Sequence, residues 1–299
     1  MTLKKLVFKL LILSSKAFSD TCLKKVPFFT SIYKFIYELS KPKGIVLIKC
    51  QDNKMYLNME DNGVSPGLLN KGVYEPFQTA IFQKLLVKNM TVVNIGANIG
   101  YYTLIAAHAV GPNGRVYAFE PEPTNYKILV KNIEVNAYKN VIPIQAAVSD
   151  KQGTLKLFLD KFNFGGPSLA EQNVSIKNGY IEVETDSLDN FIEKYDKALQ
   201  VDLIQMDAQG SEGLILHGAL NILLNNNLRI IMEFWPYGLS NMKTDALGLL
   251  RRIESYGFKI GLIDETNKCV SYLVLEQIVN ICINLQKNGR GHVSLLLGK

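Results

Sequence analysis

Short apolar runs alternate with amphipathic stretches from about residue 90 to the end of the chain. The runs are short and rich in β-branched residues, as buried strands are. They are TVVNI, RVYAFE, VIPIQAAV, VDLIQMD, LRIIMEF and FKIGLI. The intervening stretches have helical spacing, one from Pro123 to Asn136 and others that end near Val110, Leu224 and Tyr256. This alternation predicts right-handed βαβ units and an α/β fold with a doubly wound, mostly parallel sheet.

The two ends of the chain add to this pattern. A helix through VLEQIVNICINLQ precedes GHVSLLLG, which we expect to return as the last strand and so to complete a seven-stranded sheet. Near the start, KPKG resembles a linker, and IVLIKC and KMYLNM flank Asp52-Asn53, which predicts a β-hairpin. We therefore expect an arm over residues 1–43, a hairpin lead-in over 44–70 and the main domain over 71–299.

The arm carries the positive charge of the chain. The first 50 residues hold ten lysines and two acids, a net charge of +8, whereas the other residues total −2 and bring the whole chain to +6. The apolar run from Leu6 to Leu13 contains Lys9 and is too short to span a bilayer. Its spacing, repeated in FFTSIYKFIYEL, predicts two amphipathic helices that pack on the domain or a second subunit, or make peripheral contact with a membrane. A secretory signal is a rival interpretation, and Lys9 inside the apolar run opposes it.

Cysteine and histidine usage excludes several classes of site. The four cysteines form no CxxC pair, which argues against a zinc site and a disulfide framework and favours a reducing, cytoplasmic location. Three histidines, His108, His217 and His292, fit no HExxH motif or catalytic-triad order. Hydrolase and structural-metal functions therefore have no support.

The turn after the first strand of the main domain suggests a ligand site. In VVNIGANIGYYTL, Gly96 and Gly100 have GxxxG spacing, which does not satisfy the GxGxxG turn that cradles a dinucleotide pyrophosphate. Glu120 follows the second strand, twenty residues beyond Gly100, where a carboxylate can accept hydrogen bonds from both ribose hydroxyls. Strand ends of such a sheet hold ligands, so we expect a nucleoside site without a pyrophosphate.

Several spaced blocks follow one another over about residues 70–298: GVYEPFQTAIFQKLL, VVNIGANIGYYTLIAA, VYAFEPEPTNYKILVKNIEVN, AAVSD, NFGGPSL and VDLIQMDAQGSEGLILHGA. In this order they resemble the FkbM family of S-adenosylmethionine-dependent methyltransferases. The resemblance implies a class I, Rossmann-like methyltransferase domain. It also implies O-methylation of a hydroxyl on a sugar, a glycolipid or a small-molecule secondary metabolite. The residues that it places at S-adenosyl-L-methionine are Glu75, Asn94, Gly96, Ala97, Asn98, Gly100, Glu120, Pro121, Ala147, Val148 and Asp207.

Asp207 takes the position nearest the transferred methyl group in this resemblance. Methyl transfer to a hydroxyl needs alignment of the oxygen and a group that accepts its proton, so Asp207 is the candidate catalytic base. Two alternatives remain: Asp207 binds the cofactor amino group, or it joins Glu233 in holding a divalent cation. We expect no metal. Acceptor contacts are expected from residues 160–180 and 235–245, where FNFGGPS and WPYGLS offer aromatic and amide groups, Trp235 among them.

Three positions depart from the family pattern. Where the family reads DIGANIG, this chain has Asn94, and where it reads Lys-Ile-Asp-Val-Glu-Gly, this chain has Gln205 and Gln209. Loss of both members of a charge pair leaves no buried charge, so Gln205 and Gln209 are interpreted as compensating each other, whereas Asn94 has no evident partner. The sequence therefore leaves two alternative functions open: an active O-methyltransferase, and a cofactor-binding scaffold with weakened catalysis.

A nucleic-acid substrate is not expected. Amino-methylating enzymes that act on bases carry a [DNS]PP[YFW] tetrad after the fourth strand, and this chain has DAQG there. The slightly negative charge outside the arm also disfavours a duplex partner.

Overall fold

The computed structural model describes residues 41–195, 199–287 and 291–299, together with residues 10, 32, 35–37 and 39–40 near the N-terminus. The two amphipathic helices predicted for the arm fall largely outside these described residues. Within the described part, no helix combines the length and the apolar character that crossing a bilayer requires.

The hairpin forms ahead of the main domain. Strands β1 (Ile45–Cys50) and β2 (Asn53–Asn58) pair antiparallel, and the turn is Gln51-Asp52, one residue earlier than the sequence suggests. Both turn residues have positive φ, 48° and 61°, as a tight two-residue hairpin requires. The helices α1 (Val64–Lys71) and α2 (Pro76–Leu85) follow.

A buried amide of α4, that of Asn132, helps to fix the hairpin to the main domain. Asn132 accepts a hydrogen bond from the Tyr56 backbone N–H through Oδ1 at 2.6 Å, and its Nδ2 donates to the Tyr56 carbonyl at 3.1 Å. Asn132 therefore pairs with the open edge of β2 as a neighbouring strand would.

The main sheet has the predicted class I topology. Its strands are β3 (Thr91–Ile95), β4 (Arg115–Phe119), β5 (Val141–Ile144), β9 (Leu203–Met206), β10 (Arg229–Phe234), β11 (Lys259–Asp264), β12 (Cys269–Ser271) and β13 (Val293–Gly298). The order is β12-β11-β13-β10-β9-β3-β4-β5, with β3, β4, β5, β9 and β10 parallel and β13 antiparallel between β10 and β11. All seven expected strands form. The short edge strand β12 is an eighth that the apolar pattern does not predict.

Helices cover both faces of this sheet. They are α3 (Tyr101–Val110), α4 (Pro123–Val135), α5 (Leu188–Tyr195), α6 (Glu212–His217), α7 (Leu220–Leu223), α8 (Pro236–Asn241), α9 (Ala246–Ser255) and α10 (Leu275–Gln286). One core cluster includes Phe191, Leu250 and Ile278, and the other includes Leu104 and Leu129. The single helix expected to end near Leu224 is two helices, α6 and α7.

A second, three-stranded sheet is a feature that the sequence pattern did not predict. Its strands are β6 (Ala147–Val148), β7 (Gly153–Asp160) and β8 (Lys177–Asp186). The run VIPIQAAV, expected as one strand, is therefore divided between the two sheets. The loop over residues 161–176 joins β7 to β8, and Asn125 of α4 donates to the Phe164 carbonyl at 2.7 Å. This hydrogen bond places the loop beside the carboxyl ends of β3 and β4.

Candidate active site

A cavity of about 290 Å³ opens at the carboxyl ends of β3, β4, β9 and β10. Its wall holds ten of the residues that the sequence assigned to the cofactor. They are Glu75, Asn94, Gly96, Ala97, Asn98, Glu120, Pro121, Ala147, Val148 and Asp207. Gly100 is the exception, because it is absent from this wall.

The two glycines of the turn serve packing as well as ligand approach. Gly96 has φ +72°, and a Cβ there would lie 1.9 Å from the carbonyl oxygen of Asp207. Gly100 has φ +98° at the start of α3, and its Cβ would lie 2.7 Å from Leu129 Cδ1. Gly96 thus brings the turn against the end of β9, while Gly100 lets α3 pack on α4.

Glu120 fastens the glycine turn to the end of β4. Its Oε2 accepts the Asn98 backbone N–H at 2.7 Å, and its Oε1 accepts the Glu122 N–H at 2.9 Å. Burial raises the pKa of this carboxyl to about 7, although the two backbone N–H groups act in the opposite direction. Each oxygen keeps a lone pair, so the carboxylate can accept two further hydrogen bonds from a ligand in the cavity.

Glu75 enters the cavity from the N-terminus of α2. Its backbone is left-handed, with φ 43°, and its Oε2 accepts hydrogen bonds from Gln78 Nε2 at 2.6 Å and the Tyr102 hydroxyl at 2.9 Å. Burial, and then the nearby charge of Asp207, raise its pKa to about 7. Glu265 supports this arrangement, because its carboxylate accepts the Gln78 N–H at 2.7 Å.

Asp207 and Glu233 lie side by side at the ends of β9 and β10. Gln209 Nε2 donates to Asp207 Oδ1 at 2.6 Å and lies 3.4 Å from Glu233 Oε2. Burial, followed by the charge of Asp207, raises the pKa of Glu233 well above its usual range. Burial also raises the pKa of Asp207, against the Gln209 hydrogen bond and the charge of His292.

Two ionisable residues near this pair were missed from the sequence. Glu212 is fully buried at the start of α6, where its Oε1 accepts the Ala208 N–H at 3.0 Å and its Oε2 has no partner. Burial raises its pKa to about 7. His292 precedes β13, and its Nδ1 is 3.7 Å from Glu233 Oε1. An acid opening the helix after the fourth strand could have indicated Glu212, whereas no local pattern points to His292.

The two glutamines that depart from the family pattern have different neighbours. Gln205 is buried in β9, in register with Asn94 of β3, and both residues line the cavity. Gln209 lies beyond the strand end and contacts Asp207 and Glu233. The structure therefore pairs Gln205 with Asn94, and not with Gln209 as the sequence interpretation proposed.

The outer wall of the cavity contains the aromatic and amide groups expected from two segments. Asn163, Phe164, Ser168 and Leu169 come from the loop after β7, and Trp235 follows β10. Asn173 donates to the Gln209 carbonyl at 2.9 Å, which ties that loop to the Asp207 region.

The wall is acidic. Four carboxyl groups line it, those of Glu75, Glu120, Asp207 and Glu233, and no lysine or arginine is among its described residues. Within the described ranges, no group of three or more His, Cys, Asp or Glu side chains has an arrangement that could hold a metal ion. The wall therefore suits a ligand with positive charge.

The chain is similar to several proteins that are named as methyltransferases. The chain is 25% identical to Methyltransferase sdnD of Sordaria araneosa over 205 residues, 58% of this chain and 76% of that protein. It is 24% identical to Methyltransferase 1 of Beauveria bassiana over 187 residues, 57% of this chain and 73% of that protein. A solved structure of Methyltransferase FkbM from Methylobacillus flagellatus KT matches 58% of this chain and 40% of its own, with a TM-score of 0.40 and 18% identity.

A family model decides the assignment. The Methyltransferase FkbM domain matches residues 94–260, which is more than half of the chain and runs from the glycine turn to the strand β11. That match contains Gly96, Glu120, Asp207 and Glu233. The chain belongs to the FkbM family of S-adenosylmethionine-dependent methyltransferases.

Proposed function

We propose that this chain transfers the methyl group of S-adenosyl-L-methionine to a hydroxyl of a sugar, a glycolipid or a secondary metabolite. The observation that carries the proposal is the placement of Asp207 in the same cavity as Glu120, joined through the Gly96 turn. One carboxylate can hold a ribose, and the other can accept the proton of a hydroxyl.

The residues present fit this cofactor. Glu120 has lone pairs left for two ribose hydroxyls, and the amide oxygens of Asn94 and Gln205 are buried without a partner. The acidic wall suits a sulfonium and an ammonium group, because opposite charge favours both. The cofactor supplies an activated methyl carbon.

The chain's own residues then have two tasks. Asp207 accepts the proton of the acceptor hydroxyl, since it lies at the cavity wall and the hydrogen bond from Gln209 favours its charged form. Trp235 and Phe164 orient the acceptor and exclude water, because flat apolar rings stack on sugar faces and leave little room for solvent.

Charge narrows the class of acceptor. A carboxylate or a phosphate beside Asp207 and Glu233 would add negative charge to a wall that has no lysine or arginine among its described residues. An uncharged hydroxyl carries no such cost. The same reasoning disfavours nucleic acid, whose phosphates would meet this wall. Peripheral contact of the arm with a membrane, in a cytoplasmic enzyme, completes the proposal and would bring a glycolipid acceptor near the cavity.

The test is methyl transfer from isotopically labelled S-adenosyl-L-methionine into glycan, lipid and small-molecule fractions of the source cell. We expect the label in one fraction, in a form that survives mild alkali, since a methyl ether resists hydrolysis that removes a methyl ester. Label that alkali removes would identify a carboxyl acceptor. Firm cofactor binding with no label in any fraction would favour the scaffold function.

A further inference from the structure

Asn173 lies where three segments around the cavity meet. It belongs to the loop between β7 and β8 and is 8% exposed. Its Nδ2 donates to the Gln209 carbonyl at 2.9 Å and to the Gly238 carbonyl at 3.3 Å. Its Oδ1 accepts from Asn241 Nδ2 at 2.7 Å. The amide therefore links its own loop to the turn after β9 and to α8 after β10, and both its nitrogen and its oxygen are paired, as a buried amide requires.

The turn after β9, residues 207–211, needs support from outside. Gln209 has a left-handed backbone with φ 51°, which is unfavourable for a residue with a side chain. Its carbonyl accepts a second hydrogen bond from Ser168 Oγ at 2.8 Å, again from the loop. Its side-chain Nε2 donates to Asp207 Oδ1 at 2.6 Å. The loop thus fixes the backbone of the residue whose side chain contacts the candidate base.

Close packing joins the same point to Trp235. A Cβ on Gly210 would lie 2.5 Å from Asn173 Nδ2 and 2.7 Å from the carbonyl carbon of Gly238. A Cβ on Gly238 would lie 2.3 Å from Cε3 of Trp235. The turn, the loop and α8 therefore touch at positions that leave no room for a side chain. The indole ring, which lines the cavity, packs against the residue whose carbonyl accepts from Asn173.

We infer that Asn173 is a positioning residue for the acceptor half of the cavity, the part between Asp207 and Trp235. This inference rests on the proposed function. Asn173 holds the turn of Gln209 against α8, so Asp207 and the indole ring keep the separation that an acceptor hydroxyl needs between them. Asn173 itself lies behind the cavity wall and acts through these residues.

The cofactor half of the cavity is held by other contacts. Glu120 accepts the Asn98 backbone N–H at 2.7 Å and so fixes the glycine turn to the end of β4. Loss of the Asn173 amide should therefore disturb the acceptor half and leave cofactor binding close to that of the wild type.

Hydrogen–deuterium exchange tests the inference without any acceptor. In Asn173→Ala we expect the backbone amides of residues 207–211 and 236–241 to exchange about tenfold faster, because two carbonyls lose a donor. Residues 91–100, which contain the glycine turn, should exchange as in the wild type. Asn226→Ala, an exposed change between α7 and β10, is the matched control and should leave all three segments unchanged. Unchanged exchange at residues 207–211 in Asn173→Ala overturns the inference.

The fluorescence of Trp235 is a second measurement on the same variants. Trp235 is the only tryptophan of the chain, so the emission reports on the acceptor half alone. We expect the emission of Asn173→Ala to shift to longer wavelength, because water reaches an indole ring whose packing against Gly238 is loosened. Asn226→Ala should emit as the wild type does. An unshifted emission in Asn173→Ala overturns the positioning of Trp235.

Asn241→Ala covers the case in which Asn173→Ala does not fold. It removes only the donor to Asn173 Oδ1 and leaves the hydrogen bonds to the two carbonyls in place. We expect a smaller acceleration of exchange at residues 207–211 and 236–241, since the amide loses one of its anchors. No acceleration in either segment overturns the inference.

Calorimetry with S-adenosylhomocysteine and turnover on the labelled cell fraction separate a positioning role from a general loss of structure. Asn173→Ala should bind within a few-fold of the wild type and keep its KM for S-adenosyl-L-methionine, while turnover at saturating cofactor falls about tenfold. An affinity that falls as far as the turnover overturns the positioning role. A wild type that binds but methylates no fraction overturns the proposed function, and exchange and fluorescence then decide alone whether Asn173 holds the turn.

Discussion

Asn94 of β3 lies in register with Gln205 of β9, and the side-chain oxygen of each is buried without a hydrogen-bond partner. In parallel neighbouring strands, residues in register present their side chains on the same face of the sheet. Where the family pattern has an acid and a lysine at these positions, this chain has two neutral amides. The loss of charge at Asn94 is therefore matched on the adjacent strand.

This relationship predicts coupling between the two positions. We expect Asn94→Asp to fold and to bind cofactor at least as tightly as the wild type. The Thr103 hydroxyl, which accepts from Asn94 Nδ2 at 2.8 Å, can turn to donate to the new carboxylate. When Gln205→Lys is added, the free energy of unfolding of the double variant should exceed the value expected from the sum of the two single-variant changes by about 1 to 3 kcal/mol. Urea unfolding of the four proteins measures this coupling, and strictly additive changes would show that the side chains do not interact.

Gly96→Ala should destabilise the chain by about 3 kcal/mol or more, because the added methyl group would meet the backbone oxygen of Asp207 at 1.9 Å. Gly179 is the matched control: it has a similar φ, +79°, and open space around it. Gly179→Ala should cost only about 1 to 2 kcal/mol, the strain of a left-handed backbone. Urea unfolding measures the loss of stability in each variant, and similar losses in both would contradict the close approach of the turn to β9.

The local sequence pattern was sufficient to predict the part of the site between Thr91 and Glu120. A strand, a glycine turn, a helix and a second strand follow each other there, and each has its own sequence signal. His292 could not be predicted, because it reaches Glu233 only through the insertion of β13 between β10 and β11. The same holds for the small sheet, since β7 and β8 alternate weakly and pair mainly with each other.

Glu120→Ala should weaken the binding of S-adenosylhomocysteine by about 1 to 3 kcal/mol, because two hydrogen bonds to a charged acceptor are lost. Isothermal calorimetry gives the affinity, and a melting curve shows whether the turn survives loss of the Asn98 and Glu122 contacts. Glu134→Ala, an exposed change on α4, is the control and should bind as the wild type does. Unchanged affinity in folded Glu120→Ala would rule out ribose binding at Glu120.

Glu212 should make stability depend on pH. The pKa of Glu212 in the folded chain is about 7, above the ordinary 4.5. Its contribution to the free energy of unfolding is therefore fully present below about pH 4.5 and is lost as the pH rises through 7. We expect Glu212→Gln to match the wild type at about pH 5 and to be more stable by about 1 to 3 kcal/mol at about pH 8. Exposed Glu254→Gln should leave the pH slope unchanged. If the unfolding free energies of the wild type and Glu212→Gln change with pH in parallel, Glu212 does not cause the pH dependence.

The most direct test of the account compares Asp207→Asn with the wild type in two assays: calorimetric affinity for S-adenosylhomocysteine and turnover on the labelled cell fraction. If Asp207 accepts the proton, affinity stays within a few-fold while turnover falls by about 10² to 10⁴, because the amide keeps the geometry and loses the basicity. If the affinity falls more than the turnover does, Asp207 is a cofactor-binding residue and not the base. The contradicting result is a wild type that binds S-adenosylhomocysteine firmly but methylates no fraction, with Asp207→Asn identical to it in both assays. That result would rule out the proposed enzyme activity and favour the scaffold function.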